Sequence, residues 1–135
     1  MFKEIFVNLS VKDLNKTKEF FTKLGLKFNP QFTDQNAACL IINDKIYAML
    51  VSEQFFKGFI TKEITDTKKS SEVILALSVD KKEQVDEIAN KAIKAGGKEP
   101  KKAQDHGWMY SRNFEDLDGH LWEVFHIDIS KMPKP

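Results

Sequence analysis

In this 135-residue chain, a glutamate and two of the three histidines lie close together near residue 123. His120 and His126 are each three residues from Glu123, within a run that alternates in the manner of a β-strand. Residues an odd number apart on a straight strand point to opposite faces, so both imidazoles are expected to face away from Glu123. The spacing therefore predicts one isolated carboxylate, and two histidines that are solvated or hydrogen-bonded on the other face.

The remaining reactive residues form no recognisable motif. There is no His-x-x-x-His, Cys-x-x-Cys or Gly-x-Ser-x-Gly sequence, and nothing places Cys39 beside a histidine. His106 lies in a predicted loop before a strand, where it is either an ordinary surface residue or a group that reaches a binding cleft. The pair Gly96-Gly97 lacks the further glycine spacing of a phosphate-binding loop and instead predicts the end of a helix.

An internal repeat determines how these residues are positioned. Phe-Val-Asn-Leu-Ser-Val at 6–11 matches Ile-Leu-Ala-Leu-Ser-Val at 74–79, which lies 68 positions later. The segment 44–51 matches 118–125, at an offset of 74. Two half-chains in the same order indicate two copies of one supersecondary unit, whose equivalent positions are expected to share a role.

The first half predicts the order β-α-β-β-β. Residues 5–11 alternate aliphatic and other side chains, as a strand with one buried face does. Asp13 is a predicted helix cap, and Gly25 closes the apolar helical stripe that follows. Three further strands are predicted at 26–32, 36–43 and 45–51, with a turn at Asn43-Asp44.

The second half repeats this order. A strand is predicted at 73–79, and Asp80 with Glu83 resembles the capping box of a helix that ends at Gly96-Gly97. Short strands are predicted at 97–99, 108–114 and 121–126, with the hairpin turn Asp116-Leu-Asp-Gly119.

We expect one domain over 1–135, because a chain of this length can bury roughly two-thirds of its unfolded surface in a single core. The connection between the modules is polar but contains Phe55, Phe56, Phe59 and Ile60. It is either a linker packed on a sheet edge or a flap over a ligand cleft. The predicted division is module one 1–51, connection 52–72, module two 73–127 and tail 128–135.

Composition argues against two classes of partner. The chain has 21 basic and 20 acidic residues, so no overall field favours nucleic acid or an anionic membrane surface. The longest apolar run, 37–42, is far shorter than the roughly 20 residues that cross a bilayer. Cys39 is the single cysteine and lies in that run, which fits a buried thiol in a reducing cytoplasm.

Three segments of the chain resemble the vicinal oxygen chelate superfamily of glyoxalase I, bleomycin resistance proteins and extradiol dioxygenases. They are Val-Lys-Asp-Leu at 11–14, Phe20-Phe21-x-x-Leu24-Gly25, and Phe114-Glu-Asp-Leu-Asp-Gly-His-Leu-Trp-Glu123. The last is similar to the family's Phe-x-Asp-Pro-Asp-Gly-x-x-x-Glu and departs from it at Leu117. The resemblance implies an α+β fold of two tandem βαβββ modules, whose curled mixed sheets form a cleft.

The resemblance also implies which residues line that cleft. The strand faces opposite the helices are expected there, and His106 and Trp108 are added from the neighbouring loop. Trp122 has the opposite strand parity and is expected in the core. The expected ligand pocket consists of Phe6, Asn8, Tyr47, Met49, Ile74, Ala76, His106, Trp108, Leu121 and Phe125, together with Glu123.

Enzymes of this superfamily bind one divalent metal through four positions, which the resemblance transfers to Phe6, Met49, Ile74 and Glu123. Only Glu123 has a side chain suited to a divalent ion, so no metal and no other cofactor is expected. In such apolar surroundings Glu123 is expected to be poorly hydrated, as a general acid or base often is. The alternative is a carboxylate satisfied by Asn8, Tyr47, Tyr110 or a strand amide.

Two functions follow from the resemblance. The first is a metal-independent protein that binds a small apolar or aromatic molecule, as bleomycin resistance proteins do. The second is a lyase, isomerase or dioxygenase resembling glyoxalase I, with Glu123 as the catalytic residue and with or without a divalent metal. A homodimer is implied in both cases.

Overall fold

In the computed structural model, which describes residues 1–134, the chain divides into two compact units between Asp66 and Thr67. This boundary lies inside the predicted connection 52–72. Each unit contains one four-stranded sheet and its own helices. The last residue of the predicted tail, Pro135, is outside the described residues.

The first unit has the predicted order of elements, followed by a short helix. Asp13 accepts a hydrogen bond from the Lys16 amide at 3.1 Å, as an N-cap does, and Gly25 has a φ of 92° where the helix ends. The elements are β1 (Ile5–Val11), α1 (Leu14–Lys23), β2 (Lys27–Asn29), β3 (Ala37–Ile41), β4 (Ile46–Ser52) and α2 (Glu53–Lys57).

The strand order in the first sheet is β1-β4-β3-β2, with β1 parallel to β4 and the other pairs antiparallel. Leu9 and Val11 of β1 are buried, whereas Phe6 and Asn8 on the alternate face are exposed. Phe20 and Phe21 of α1 are fully buried and form an edge-to-face pair at 5.0 Å between ring centroids. One face of the sheet is thus buried with α1, and the other face is more open.

The second unit repeats this arrangement, with strand order β5-β8-β7-β6 and with β5 parallel to β8. Val85, Ala89 and Ala92 of its long helix are buried, as are Trp122 and Val124. The elements are β5 (Ile74–Ser78), α3 (Lys82–Lys94), β6 (Gln104–Asp105), β7 (Met109–Glu115) and β8 (Leu121–Ile127).

The pairing registers of the two sheets are equivalent. Asn8 pairs with Met49 in the first sheet, and Ala76 pairs with Glu123 in the second. Phe6 lies two residues before Asn8, and Ile74 lies two residues before Ala76. The repeat inferred from the sequence is therefore confirmed at the level of single positions, with Phe6 equivalent to Ile74 and Met49 to Glu123.

Two strand predictions are wrong. The strand predicted at 26–32 ends at Asn29, because Pro30 has no amide hydrogen and begins a 3-10 turn in which Asn29 Oδ1 accepts from the Gln31 amide at 3.0 Å. The strand predicted at 97–99 is a single bridge between Lys98 and Glu115, and β6 forms later in the chain.

The predicted capping box is displaced by one residue. The α3 helix begins at Lys82, and Gln84 Oε1 accepts a hydrogen bond from the Lys81 amide at 2.9 Å, in place of the expected Asp80 and Glu83. Gln84 occupies the third helical position, from which a side chain reaches back to the N-cap amide.

The predicted connection contains α2, a single short helix that makes its contacts with β1 and β4. Phe55 and Phe59 pack edge-to-face at 5.2 Å and are 44% and 65% exposed. This arrangement agrees with a segment packed against its own sheet. None of the helices within residues 1–134 combines the length and the apolar character required to cross a bilayer.

Candidate functional site

The site centres on Glu123, in the middle of β8. Across the β7–β8 pair Glu123 lies directly opposite Asn113, and on the other side it pairs with Ala76 of β5. Directly opposed residues place their Cβ atoms about 4.5–5.5 Å apart on the same face of a sheet. Trp122 and Val124, on the alternate face, are buried, so Glu123 and Asn113 share the more open face.

A cavity of about 300 Å³ lies over this face of the second sheet. We call it the second-sheet cavity. Segment 100–104 supplies part of its wall, including Lys101 and Lys102, which are exposed. The strand residues that line it are Ile74, Ser111, Arg112, Asn113, Glu115, Leu121 and Glu123.

The polar groups in this cavity are incompletely satisfied. Asn113 Oδ1 is fully buried and has no hydrogen-bond partner among the described residues. Within the described part of the second unit, the half-buried carboxylates of Glu115 and Glu123 form no hydrogen bond or ion pair. An unsatisfied buried polar group costs about 1–3 kcal/mol, so Asn113 Oδ1 indicates a surface that is suited to a further partner.

Arg112 anchors the strand beneath the cavity. Its guanidinium binds Glu99 in a bidentate manner, with Nε–Oε2 at 2.9 Å and Nη2–Oε1 at 3.0 Å. Nη1 donates to Asp86 at 3.1 Å and to Asn90 at 2.9 Å, both on α3. These bonds join β7 to α3 and to the start of the segment that walls the cavity.

Tyr110 completes this network, since its hydroxyl donates to Asp86 Oδ1 at 2.6 Å. That bond is the largest cause that lowers the pKa of the Asp86 carboxyl below its ordinary value, and the bond from Arg112 lowers this pKa further. The same bond raises the pKa of Tyr110, and the bond to Glu99 raises the pKa of Arg112. Tyr110 is therefore bound to α3, and its expected role as a partner of Glu123 is wrong.

Asp116 fixes the hairpin turn that sets the β7–β8 register. Its Oδ1 accepts from the amides of Asp118 at 2.9 Å and His120 at 3.0 Å, and its Oδ2 accepts from the Trp122 indole at 3.0 Å. Burial raises the pKa of this carboxyl, although the neighbouring His120 acts in the opposite direction. Gly119, with a φ of 85°, closes the turn.

The predicted pocket residues of the second unit separate into three groups. Ile74, Leu121 and Glu123 line the second-sheet cavity. Ala76 and Phe125 are on the same face of the sheet but do not line it, and Phe125 lines a second cavity with Ser78. His106 and Trp108 are also outside the cavity lining.

His106 and Trp108 lie together in the turn between β6 and β7. Their rings stack with centroids 6.3 Å apart, and the His106 amide donates to the Met109 carbonyl at 2.8 Å. The hairpin therefore holds both rings at the β6–β7 turn, and neither residue lines the second-sheet cavity. His126 contacts the carbonyl of Val79 at 3.1 Å, as expected of a histidine on the face opposite Glu123.

In the first unit, Phe6 and Tyr47 form a stacked pair with ring centroids 4.7 Å apart. The Tyr47 hydroxyl donates to the Asp44 carbonyl at 2.8 Å, and Asn8 Nδ2 donates to the Phe6 carbonyl at 3.2 Å. The pKa of Tyr47 is raised mainly by partial burial and, to a smaller extent, by the charge of Glu4. The open face of this sheet is thus aromatic, with Met49 beside the pair.

The residues at the four family metal positions do not fit a divalent ion. The first unit offers Phe6 and Met49, and the second offers Ile74 and Glu123, so a single oxygen donor is present among them. Structural and catalytic metals are held by three or four nitrogen, oxygen or thiolate ligands. Within residues 1–134 no group of three or more His, Cys, Asp or Glu side chains is placed to hold a metal.

Asn113, Ser111 and Glu115 were missed by the sequence analysis. The strand predicted at 108–114 contains most of them, but no apolar alternation marks which face they occupy. Their place on the cavity face depends on the cross-strand register, in which Glu115 pairs with Leu121 and Asn113 lies opposite Glu123, one residue away from the pairing that a turn at 116–119 alone predicts.

The model of the Glyoxalase/Bleomycin resistance protein/Dioxygenase superfamily matches residues 5–124. A hypothetical protein from S. aureus is 29% identical, with a TM-score of 0.79 over 93% of this chain and 95% of that one. No curated protein gives a match.

Two further solved structures share the fold at lower identity. A glyoxalase-related enzyme from Fulvimarina pelagi is 19% identical, with a TM-score of 0.78 over 93% of this chain and 88% of that one. The fosfomycin resistance protein FosX from Listeria monocytogenes is 20% identical, with a TM-score of 0.65 over 97% and 93%. The family match over most of the chain, together with the duplicated sheets, shows that this chain belongs to the glyoxalase/bleomycin resistance protein/dioxygenase superfamily.

Proposed function

We propose that this chain is a small-molecule-binding protein of the glyoxalase and bleomycin resistance type, and that it binds its ligand without a metal. The observation that carries the proposal is the second-sheet cavity, which is lined by the opposed residues Asn113 and Glu123, whose Oδ1 and carboxylate have no hydrogen-bond partner within residues 1–134. Ligand sites usually combine apolar walls with a few convergent polar groups. This cavity has apolar residues at Ile74, Pro100 and Leu121, and its other lining residues are polar or charged.

The apolar contribution comes from Ile74 and Leu121, which pair across β5 and β8 and flank Glu123 in the cavity. Ile74 is 59% exposed, so a ligand that covers it gains burial of apolar surface at about 25 cal/mol per Å². Members of the superfamily bind small molecules. A small apolar or aromatic ligand with a few polar groups fits these walls.

An enzyme that resembles glyoxalase I is the second candidate, and Glu123 favours it. A half-buried carboxylate without a protein partner is available for proton transfer to a bound substrate. Because the family metal positions lack ligands, such a lyase or isomerase would rely on Glu123 alone as its acid or base.

The proposal includes a homodimer in the cytoplasm. The family resemblance supports the dimer, and the single free thiol, Cys39, which is fully buried, supports a reducing compartment. Sedimentation equilibrium of the purified protein measures its mass directly, and a monomer at micromolar concentration would remove this part of the proposal.

The proposed function is tested by a thermal-shift screen of small aromatic and aliphatic compounds, with and without EDTA. A ligand that binds only the folded protein raises the melting temperature with its concentration. We expect shifts that survive EDTA, that weaken in Glu123→Gln, and that persist in the control Glu87→Gln, since Glu87 is exposed on α3. Shifts that require a divalent metal, or metal-dependent turnover of a hit, would replace this proposal with a metalloenzyme.

A further inference from the structure

The charges around the second-sheet cavity are segregated. On its sheet side, Glu115 and Glu123 lie on adjacent strands with Asn113 between them, two residues from Glu115 and opposite Glu123. Glu115 and Glu123 contribute carboxylates, which only accept hydrogen bonds when ionised, whereas Asn113 contributes an amide whose Oδ1 is buried and whose Nδ2 is a donor. The two carboxylates therefore give the sheet side of the cavity an excess of hydrogen-bond acceptors.

The positive charges near the cavity do not neutralise these acceptors. Arg112 is held by Glu99 and Asp86, so its charge is already paired. Lys101 and Lys102 are exposed, and within residues 1–134 neither forms a salt bridge. Both lysines line the cavity from segment 100–104.

We propose, as a step that rests on the proposed function, that the ligand carries a cationic nitrogen group which donates hydrogen bonds to Glu123 and Asn113. An ammonium, amidinium or guanidinium group is a pure donor and matches a site of acceptors. The apolar part of the ligand then lies on Ile74 and Leu121, which flank the carboxylate.

The buried oxygen of Asn113 distinguishes the proposed cation-binding site from two acidic residues that are neighbours by chance. Asn113 Oδ1 has lost its contact with water without gaining a donor. The inference requires the Asn113 side chain to rotate so that Oδ1 reaches the cavity beside Glu123, its cross-strand partner, where one planar donor group can bridge both residues. A monovalent planar cation suits this pair better than a divalent ion, because the cavity supplies few oxygen ligands for a metal.

Three aromatic probes of nearly equal size test the charge preference. Benzamidine is cationic, benzyl alcohol is neutral and benzoate is anionic. Each is titrated in EDTA against ¹⁵N-labelled full-length protein, and the amides of β7 and β8 report binding. We expect benzamidine to bind roughly tenfold or more tighter than benzyl alcohol, since charge-assisted hydrogen bonds are about twice as strong as neutral ones.

Matched variants separate the site from general charge effects. Glu123→Gln is expected to reduce the affinity for benzamidine about tenfold and to leave that for benzyl alcohol nearly unchanged. Glu87→Gln removes the same charge from exposed α3 and is expected to change neither. Equal binding of benzamidine and benzyl alcohol would overturn the cationic preference and leave the proposed function standing.

Two other outcomes also overturn the inference. A preference for benzoate that is lost in Lys101→Gln would mean that the exposed lysines select an anionic ligand. If none of the three probes shifts the amides of β7 and β8, the cationic site is wrong, and the EDTA screen remains the separate test of the proposed function.

Discussion

Asn113 and Glu123 occupy a position where folding and binding make opposite demands. A buried amide oxygen without a donor lowers the stability of the free protein, and an apolar side chain of similar shape would avoid that cost. Sites that hold such groups commonly sacrifice stability for function. The cationic ligand proposed above would donate to both groups and so offset this cost.

The first prediction follows from this conflict. Asn113→Leu preserves the branched shape of the side chain and removes the unsatisfied oxygen, so we expect the free energy of unfolding to rise by about 1 kcal/mol. Benzamidine binding is expected to weaken in the same variant. Urea denaturation and the amide titration measure the two effects. A variant that is less stable and binds normally would show that Asn113 has an ordinary structural role.

The second prediction concerns Gly119, in the turn that aligns Asn113 with Glu123. A Cβ at this position would lie 3.0 Å from the Thr67 carbonyl oxygen and 3.1 Å from Thr67 Oγ1, and φ is 85°. Thr67 Oγ1 also donates to the Asp118 carbonyl. We expect Gly119→Ala to destabilise the protein by about 2–3 kcal/mol, through backbone strain and displacement of Thr67.

Gly107→Ala is the matched control for Gly119→Ala. Gly107 has a similar φ of 81°, but a Cβ there would meet nothing within 4 Å. Gly107→Ala is expected to lower the free energy of unfolding by about 1 kcal/mol, because only the backbone conformation is strained. Chemical denaturation measures the free energy of unfolding of both variants. Equal losses of stability would mean that the contact between a Cβ at position 119 and Thr67 does not destabilise the protein.

Among the elements, β7 connects the cavity to α3. Its alternate residues Tyr110 and Arg112 bind Asp86, whereas Ser111 and Asn113 line the cavity. The side chains on one face of the strand thus hold it in place for those on the other. Because an arginine forms two parallel bonds to a carboxylate, its contact with Glu99 fixes geometry as well as charge.

The third prediction is a pH dependence that arises from this contact between elements. The pKa of Asp86 is lowered in the folded protein, chiefly by Tyr110, relative to an unfolded value of about 3.9. A lowered carboxyl pKa stabilises the fold above the unfolded value, and this contribution is lost as the pH falls through the folded value. Tyr110→Phe is therefore expected to lower the melting temperature more at pH about 7 than at pH about 3.

Asp86→Asn provides the control for this measurement, because an amide does not titrate. In that background, the effect of Tyr110→Phe on the melting temperature is expected to be the same at every pH. Side-chain atoms of Asp86 are 50% exposed, so solvent screening keeps the difference small. An effect of Tyr110→Phe that grows on acidification would contradict the assignment.

The sequence predicted most of these elements, and the exceptions have local causes. Alternation located β1, β5 and β8, since each has one face that is more buried than the other, and Asp13 and Gly25 bounded α1. The strand at β6 was misplaced because two residues form it, too few for a pattern. Glu123 was predicted, whereas Asn113 was not, because its significance depends on the cross-strand register.

At the scale of the whole molecule, the two units have the same topology but different cores. Of the buried apolar residues within 1–134, 12 lie in the first unit and 6 in the second. The second unit relies more on polar contacts, including the Arg112 network and the bonds to Asp116. Buried apolar area is the dominant favourable term in folding, and paired charges near a surface contribute less.

The fourth prediction is that the first unit resists local opening more strongly than the second. In hydrogen exchange followed by mass spectrometry, the amides of β3 and β4 are expected to exchange more slowly than those of β7 and β8. Leu40 is fully buried in β3, so Leu40→Ala should lower the free energy of unfolding by about 2–5 kcal/mol. In this variant the amides of β3 and β4 should no longer exchange more slowly than those of β7 and β8. Ligand binding should instead slow exchange in β7 and β8, because the cavity is lined by these strands. Slower exchange of β7 and β8 in the free protein would mean that the polar network, and not the apolar core, sets the order of stability.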